Sequence, residues 1–185
     1  RQKWYQGEFA SLSWAGDSRA SGYSYVLNDS PVDVPDDISD GLSTNALYKK
    51  LSSGRHYFHI RALRAGVWGG TTHFALNVDF DPPAEFPIEI IPGSRTSRHE
   101  PVIKFLSTDL DSGIDYYEIK IIGLSAKSLT DSEFSEQQEF FIESSSPYVP
   151  PYLEYGSYDV IVRAYDRAGN VREVTERLEI VRPIL

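Results

Sequence analysis

The densest group of potential ligands is acidic. Asp109-Leu-Asp111-Ser-Gly113-Ile-Asp115 sets carboxylates at alternate positions around a glycine, and hard oxygen donors spaced this way suit calcium, which takes about six to eight of them. The position where a bidentate carboxylate would close such a loop holds Lys120. The competing reading is a turn whose Asp side chains accept backbone amides while Gly113 supplies a positive φ. His59 and His73 are the next candidates. Two imidazoles facing each other across a sheet can hold zinc, but a structural site takes about four ligands and no third is visible. The histidines at 56, 59, 73 and 99 lack a nucleophile-elbow sequence, and Gly66, Gly69 and Gly70 lead into no helix that would cradle a phosphate. The chain reads as non-catalytic.

Rings form the third group. Tyr148-Val-Pro-Pro-Tyr152-Leu-Glu-Tyr155 concentrates tyrosines in a proline-stiffened stretch, and Trp4, Tyr5 and Trp68 stand apart from it. Such rings stack on sugars or anchor protein interfaces when exposed, and otherwise cover a core. Tyr148, Tyr152 and Tyr155 are the binding candidates. The span 123–147 is the longest candidate loop, with a helical spacing competing around 128–141.

Elements must position these groups, and the composition says which kind. Thirteen Gly, eleven Pro, twelve Tyr and nine Phe among 185 residues favour short strands and tight turns. Phe58, Ile60 and Ala62 alternate with His59 and Arg61. Phe74, Leu76 and Val78 alternate with Ala75 and Asn77, and Val160, Val162 and Ala164 with Ile161 and Arg163. Period-two alternation predicts half-buried strands, so the class is all-β. Lys and Arg number 18 against 27 Asp and Glu, a formal charge of -9 without a basic cluster. That balance repels phosphate backbones and argues against nucleic acid. Cysteine is absent, which removes disulfides and thiol chemistry. No apolar run approaches the roughly 20 residues of a membrane helix, so this stretch is expected to make no membrane contact. The lack of any methionine suggests a piece of a longer product, one open to membrane or wall anchoring elsewhere in its length.

A repeat organises the chain. Leu51-Ser-Ser-Gly54-Arg-His56-Tyr-Phe58-His-Ile60-Arg61-Ala62 matches Leu153-Glu-Tyr-Gly156-Ser-Tyr158-Asp-Val160-Ile-Val162-Arg163-Ala164, and each is followed by an Ala-Gly turn, at Gly66 and Gly169. Ser21-Gly22 corresponds to Ser112-Gly113. Two copies of one domain are expected, over 1–80 and 84–185, joined by a stiff linker at 81–83 where Pro82 and Pro83 remove two backbone donors. With Gly66 at a hairpin centre, Phe58 opposes Phe74 and His59 opposes His73. The apolar pair is then expected inward and the imidazoles outward as a solvated pair.

The Leu-x-x-Gly-x-Tyr-x-Val-x-Val-x-Ala pattern of the second copy resembles the strand F region of fibronectin type III and related immunoglobulin-like domains. Ser-Gly-Ile-Asp-Tyr-Tyr-Glu-Ile and Arg-Ala-Tyr-Asp-Arg-Ala-Gly-Asn are similar to the turns of immunoglobulin-like repeats in bacterial surface proteins. The resemblance implies two tandem β-sandwiches, and a corner in which the Tyr158 hydroxyl bonds back to the backbone, with His56 in the equivalent place. It also implies an extracellular, cell-surface, non-catalytic module that acts as a spacer or in adhesion. The alternatives are a carbohydrate- or protein-binding module, with the protein or glycan ligand unknown, and an extracytoplasmic sensor domain of a signalling protein. In such a sandwich the linker acids Asp79 and Asp81 would approach Asp109, Asp111 and Asp166, the arrangement in which calcium would be the one expected cofactor.

Overall fold

A computed structural model describes residues 3–124 and 140–183. Its elements are strands throughout the described residues. The chain divides into two compact units, Arg1–Asp81 and Pro82–Leu185.

In the first unit, β1 (Trp4–Tyr5), β7 (Thr72–Val78), β5 (Gly54–Arg64) and β3 (Gly22–Asn28) follow one another in one sheet, with β6 (Val67–Trp68) hairpinned onto β5. The facing sheet is β2 (Phe9–Ser13) against β4 (Asn45–Lys49). The alternation that predicts strands also chooses faces: Ala10, Leu12, Ala46 and Tyr48 turn toward the other layer, where Phe58, Leu76 and Val78 are buried. The β5–β6 hairpin turns through Ala65 (φ 47°) and Gly66 (φ 76°), a two-residue loop with both central residues left-handed, as the strand twist demands. Phe58 pairs with Phe74 and His59 with His73, the expected register.

The second unit repeats the plan. One sheet runs β12 (Ile142–Ser144), β11 (Ile114–Gly123), β13 (Gly156–Asp166), β14 (Val171–Ile180), β9 (Arg95–Thr96). The other is β8 (Ile88–Ile91) against β10 (Val102–Phe105), to which Tyr148 adds a bridge at Ile103. Both units close the last long strand with a short parallel strand, β1 on β7 and β9 on β14. Ile119, Val160, Val162, Ala164 and Leu178 are fully enclosed with Ile103 and Phe105. Each large aliphatic side chain buried in this way contributes about 1.5–3 kcal/mol before chain entropy is counted. The chain is therefore two tandem β-sandwiches of the immunoglobulin-like kind.

Two expectations need correction or restriction. His59 is not on a solvated face: it is 0% exposed, because the segment after β3 lies over it and its Nε2 donates to the Ser30 carbonyl at 3.0 Å. Its inward-facing neighbour pair is less buried than expected, since Phe74 remains 52% exposed. The long span after β11 contains β12, which pairs with β11 through Tyr117, Glu118 and Ile119. Most of the helical spacing around 128–141 falls on 125–139 and lies outside the described residues.

Candidate functional site

The acids of the second unit cap turns. One oxygen of Asp109 accepts the amides of Asp111 at 3.2 Å and Gly113 at 2.7 Å, and Gly113 has φ 77°. Asp166 uses Oδ1 for the amides of Ala168, Gly169 and Asn170 at 2.8–2.9 Å, while Oδ2 accepts the Asn170 side-chain amide. Gly169 has φ 96°, a conformation an L side chain resists. Bonds from a carboxylate to several amides hold a turn in one conformation. Within the first unit, Asp79 plays the same part, its Oδ1 accepting the Asp81 amide at 3.1 Å.

The histidine pair is a hydrogen bond. Nδ1 of His59 and Nδ1 of His73 stand 2.6 Å apart. Because Nε2 of His59 faces two oxygens, Ser30 O and Asn28 Oδ1, it carries the proton and Nδ1 accepts from His73. Two imidazole nitrogens on one tetrahedral zinc would sit roughly 3.3 Å apart, given bonds of about 2.0–2.1 Å. Among the described residues no third ligand group joins them.

The tyrosines part company. Tyr148 packs against the core and bridges Ile103, so it presents no free ring. Tyr152 and Tyr155 are 58% and 46% exposed and flank His99, stacked at 4.2 Å and edge-on at 4.7 Å respectively. The backbone between them is tied down. The Leu153 amide donates to the His99 carbonyl, His99 Nδ1 donates to the Leu153 carbonyl at 2.6 Å, and the Tyr158 hydroxyl donates to the Glu154 carbonyl at 2.9 Å. The last is the expected corner. In the first unit His56 takes its place, with Nε2 2.8 Å from the Ser52 carbonyl.

Sequence reasoning missed a further group in the first unit. The chain leaving β2 places Trp14 against Tyr23, Tyr25 and Phe58, with ring centroids 5.2–5.7 Å apart. From β5, Arg61 lies over the Trp68 ring at 4.7 Å, and its Nη2 donates to Asp37 at 2.5 Å. Its side chain is 10% exposed. Among the described residues, Nε1 of Trp14 and Nε of Arg61 are buried without a hydrogen-bond partner. Each such donor costs on the order of 1–3 kcal/mol.

Both side chains border a cavity of about 260 Å³ that also touches Asp17, Tyr23, Arg64 and Thr72. Asp17 is held ionised there: the Arg19 amide bonds its Oδ1 and Arg64 bonds its Oδ2, keeping the carboxyl below its ordinary range against partial desolvation. The Asp17 amide in turn donates to the Tyr23 hydroxyl at 2.8 Å. The pocket thus sets an ionised carboxylate beside largely buried aromatic and guanidinium side chains. Arg61 fills an ordinary polar position in the alternation of Phe58, Ile60 and Ala62, and Trp14 and Asp17 lie too far away in sequence to be linked to it.

No family model matches the chain, and no curated protein matches it. Solved structures similar to it include the fibronectin(III)-like modules of Clostridium thermocellum CbhA, at 12% identity and TM-score 0.43 over 96% of this chain and 88% of that one. A two-domain fibronectin type III segment of chicken tenascin aligns at 11% and 0.39 over 95% and 94%. The FN1–FN3 domains of chicken CNTN1 align at 12% and 0.37 over 96% and 65%. At these values the strand order and pairing described above are the ground for the fold.

Proposed function

We propose that this chain is a non-catalytic extracellular module of a larger bacterial cell-surface protein, serving as a stiff spacer or interaction element. The observation that carries the reading is duplication: one sandwich plan occurs twice, with Pro82, Pro83 and Pro87 between β7 and β8. Repeated folded units separated by a proline-restricted connection set a distance between whatever lies on either side. A second reading, capture of a protein or glycan partner, is favoured by the exposed Tyr152 and Tyr155 on a hydrogen-bonded backbone, since a ring already ordered loses less entropy on binding.

Small-angle scattering of the intact chain and of the Pro82→Gly/Pro83→Gly variant tests the spacer. A narrow distribution of maximum dimensions that broadens in the variant supports it. Equal breadth in both would overturn it. Melting the same samples in EDTA and in millimolar calcium decides the metal expectation, because an ion that binds only the folded form raises the melting temperature. A rise with calcium but not magnesium supports binding by Asp79, Asp81, Asp109, Asp111 and Asp166. No rise leaves Asp79, Asp109 and Asp166 as turn caps.

A further inference from the structure

We propose that the open edge of β2 and the apolar groove beside it receive one added β-strand, antiparallel to β2, supplied by the stretch of polypeptide that runs into β1. The groove holds about 640 Å³, with Leu12 and Trp14 on one side and Phe74, Leu76 and Val78 on the other.

Hydrogen-bond parity defines the edge. The Trp14 amide donates to the Thr44 carbonyl, and Leu12 faces Ala46 and Ala10 faces Tyr48 in the same register. Alternate residues of an antiparallel strand turn their N–H and C=O groups to opposite sides. Those of Phe9, Ser11 and Ser13 therefore point away from β4, and β2 has no second strand neighbour among the described residues. Free backbone groups beside apolar surface take up an extended segment by strand addition.

The second unit shows what covers such an edge. Ile103 of β10 exchanges both backbone bonds with Tyr148 at 2.8 Å, so Val102 and Lys104 turn theirs to β8, opposite Ile91 and Glu89. Ile90 is buried in the core and Ile88 packs against it, while Glu89 is exposed. β8 also lies against β14, the counterpart of β7.

The two plans correspond in sequence without a gap. Trp4, Leu12 and Gly22 stand at one constant interval from Arg95, Ile103 and Gly113. Pro92, Gly93 and Ser94 separate β8 from β9, and Arg1, Gln2 and Lys3 precede β1. The counterpart of the four-residue β8 is then the segment next upstream of Arg1. Its third and first residues fall opposite Leu12 and Trp14, as Ile90 and Ile88 fall opposite Ile103 and Phe105. The strand that fits is therefore aliphatic at its first and third positions and polar at its second. The inference rests on the reading of this chain as part of a larger protein, but not on a spacer role or a surface location.

The test compares this chain with the same chain lengthened by the natural residues ahead of Arg1, each in dilute solution, by amide exchange and thermal unfolding. The Ser11 and Ser13 amides are expected to exchange fast in the shorter chain. Lengthening is expected to slow both by about tenfold or more and to raise the melting temperature. Serine at the first and third positions of the added strand is expected to restore fast exchange, and the melting transition of the shorter chain shows that this is not loss of the fold. Fast exchange in the lengthened chain would leave the edge to some other partner and overturn the proposal. Slow exchange in the shorter chain that grows with its concentration would assign the edge to a second copy, and would overturn it too. A natural product starting at Arg1 would sink the larger-protein reading as well, whereas fast exchange in the lengthened chain sinks this inference alone.

Discussion

At the scale of single residues, Asp79, Asp109 and Asp166 each hold a turn by accepting backbone amides. Tyr48 shows what burial alone does. Its phenol faces the other layer, near Phe58, and burial first, with the Tyr25 and Asp40 charges behind it, pushes its pKa to about 12 from the ordinary 10.0. The sign follows from linkage. The fold favours the neutral phenol, so this contribution is fully present below pH 10 and is lost as pH rises from 10 toward 12. Denaturant unfolding across that range is expected to show a decline in stability that Tyr48→Phe reduces. Equal declines in both proteins would place the burden on other tyrosines. The residue scale is also where sequence reading went furthest astray. His59 sits at a position that alternation assigns to solvent, yet Asn28 and Ser30 come from a different strand end to enclose it. Periodicity within a strand carries no information about a loop folded over its outer face.

At the scale of elements, the repeat was legible because its determinants are local. β5 and β13 begin at Gly54 and Gly156 and run to the same length, and these glycines pair with Val78 and Ile180 at matching places in the next long strand. The corner is the device that fixes the loop before each strand. Replacing Tyr158 by Phe removes the bond to Glu154 while keeping the ring, so a loss of about 1 kcal/mol is expected, read as a lowered denaturant midpoint. Amide exchange around 152–155 should quicken with it. An unchanged midpoint would mean that the ring, packed against the core, does all the anchoring. The corresponding glycines of the two copies differ in their reasons. Gly113 is left-handed, whereas a Cβ on Gly22 would strike the Ser39 side chain. One sequence signal thus covers a conformational need in one copy and a need for space in the other. The cavity at Trp14 and Arg61 had no comparable signature, since β2, the turn after it and β5 meet only in three dimensions.

At the scale of the whole molecule, an acidic chain of -9 meets a sheet edge that its own described residues do not cover. β2 has β4 as its one strand neighbour among them, and its opposite edge opens on an apolar groove of about 640 Å³ between Leu12, Phe74 and Leu76, with Phe9 68% exposed at its rim. Unpaired amides and carbonyls beside apolar surface are a template for any other extended backbone, a second molecule of the same kind included. What opposes that encounter is mutual repulsion between equally charged copies, and it acts over a distance set by dissolved ions, about 8 Å at physiological strength and about 3 Å at 1 M. The colloidal behaviour of this fragment is therefore governed by its counterions. Light scattering of a concentrated sample is expected to stay low in dilute buffer and to climb as sodium chloride is raised, and a β2 edge carrying Ser11→Lys is expected to blunt that climb.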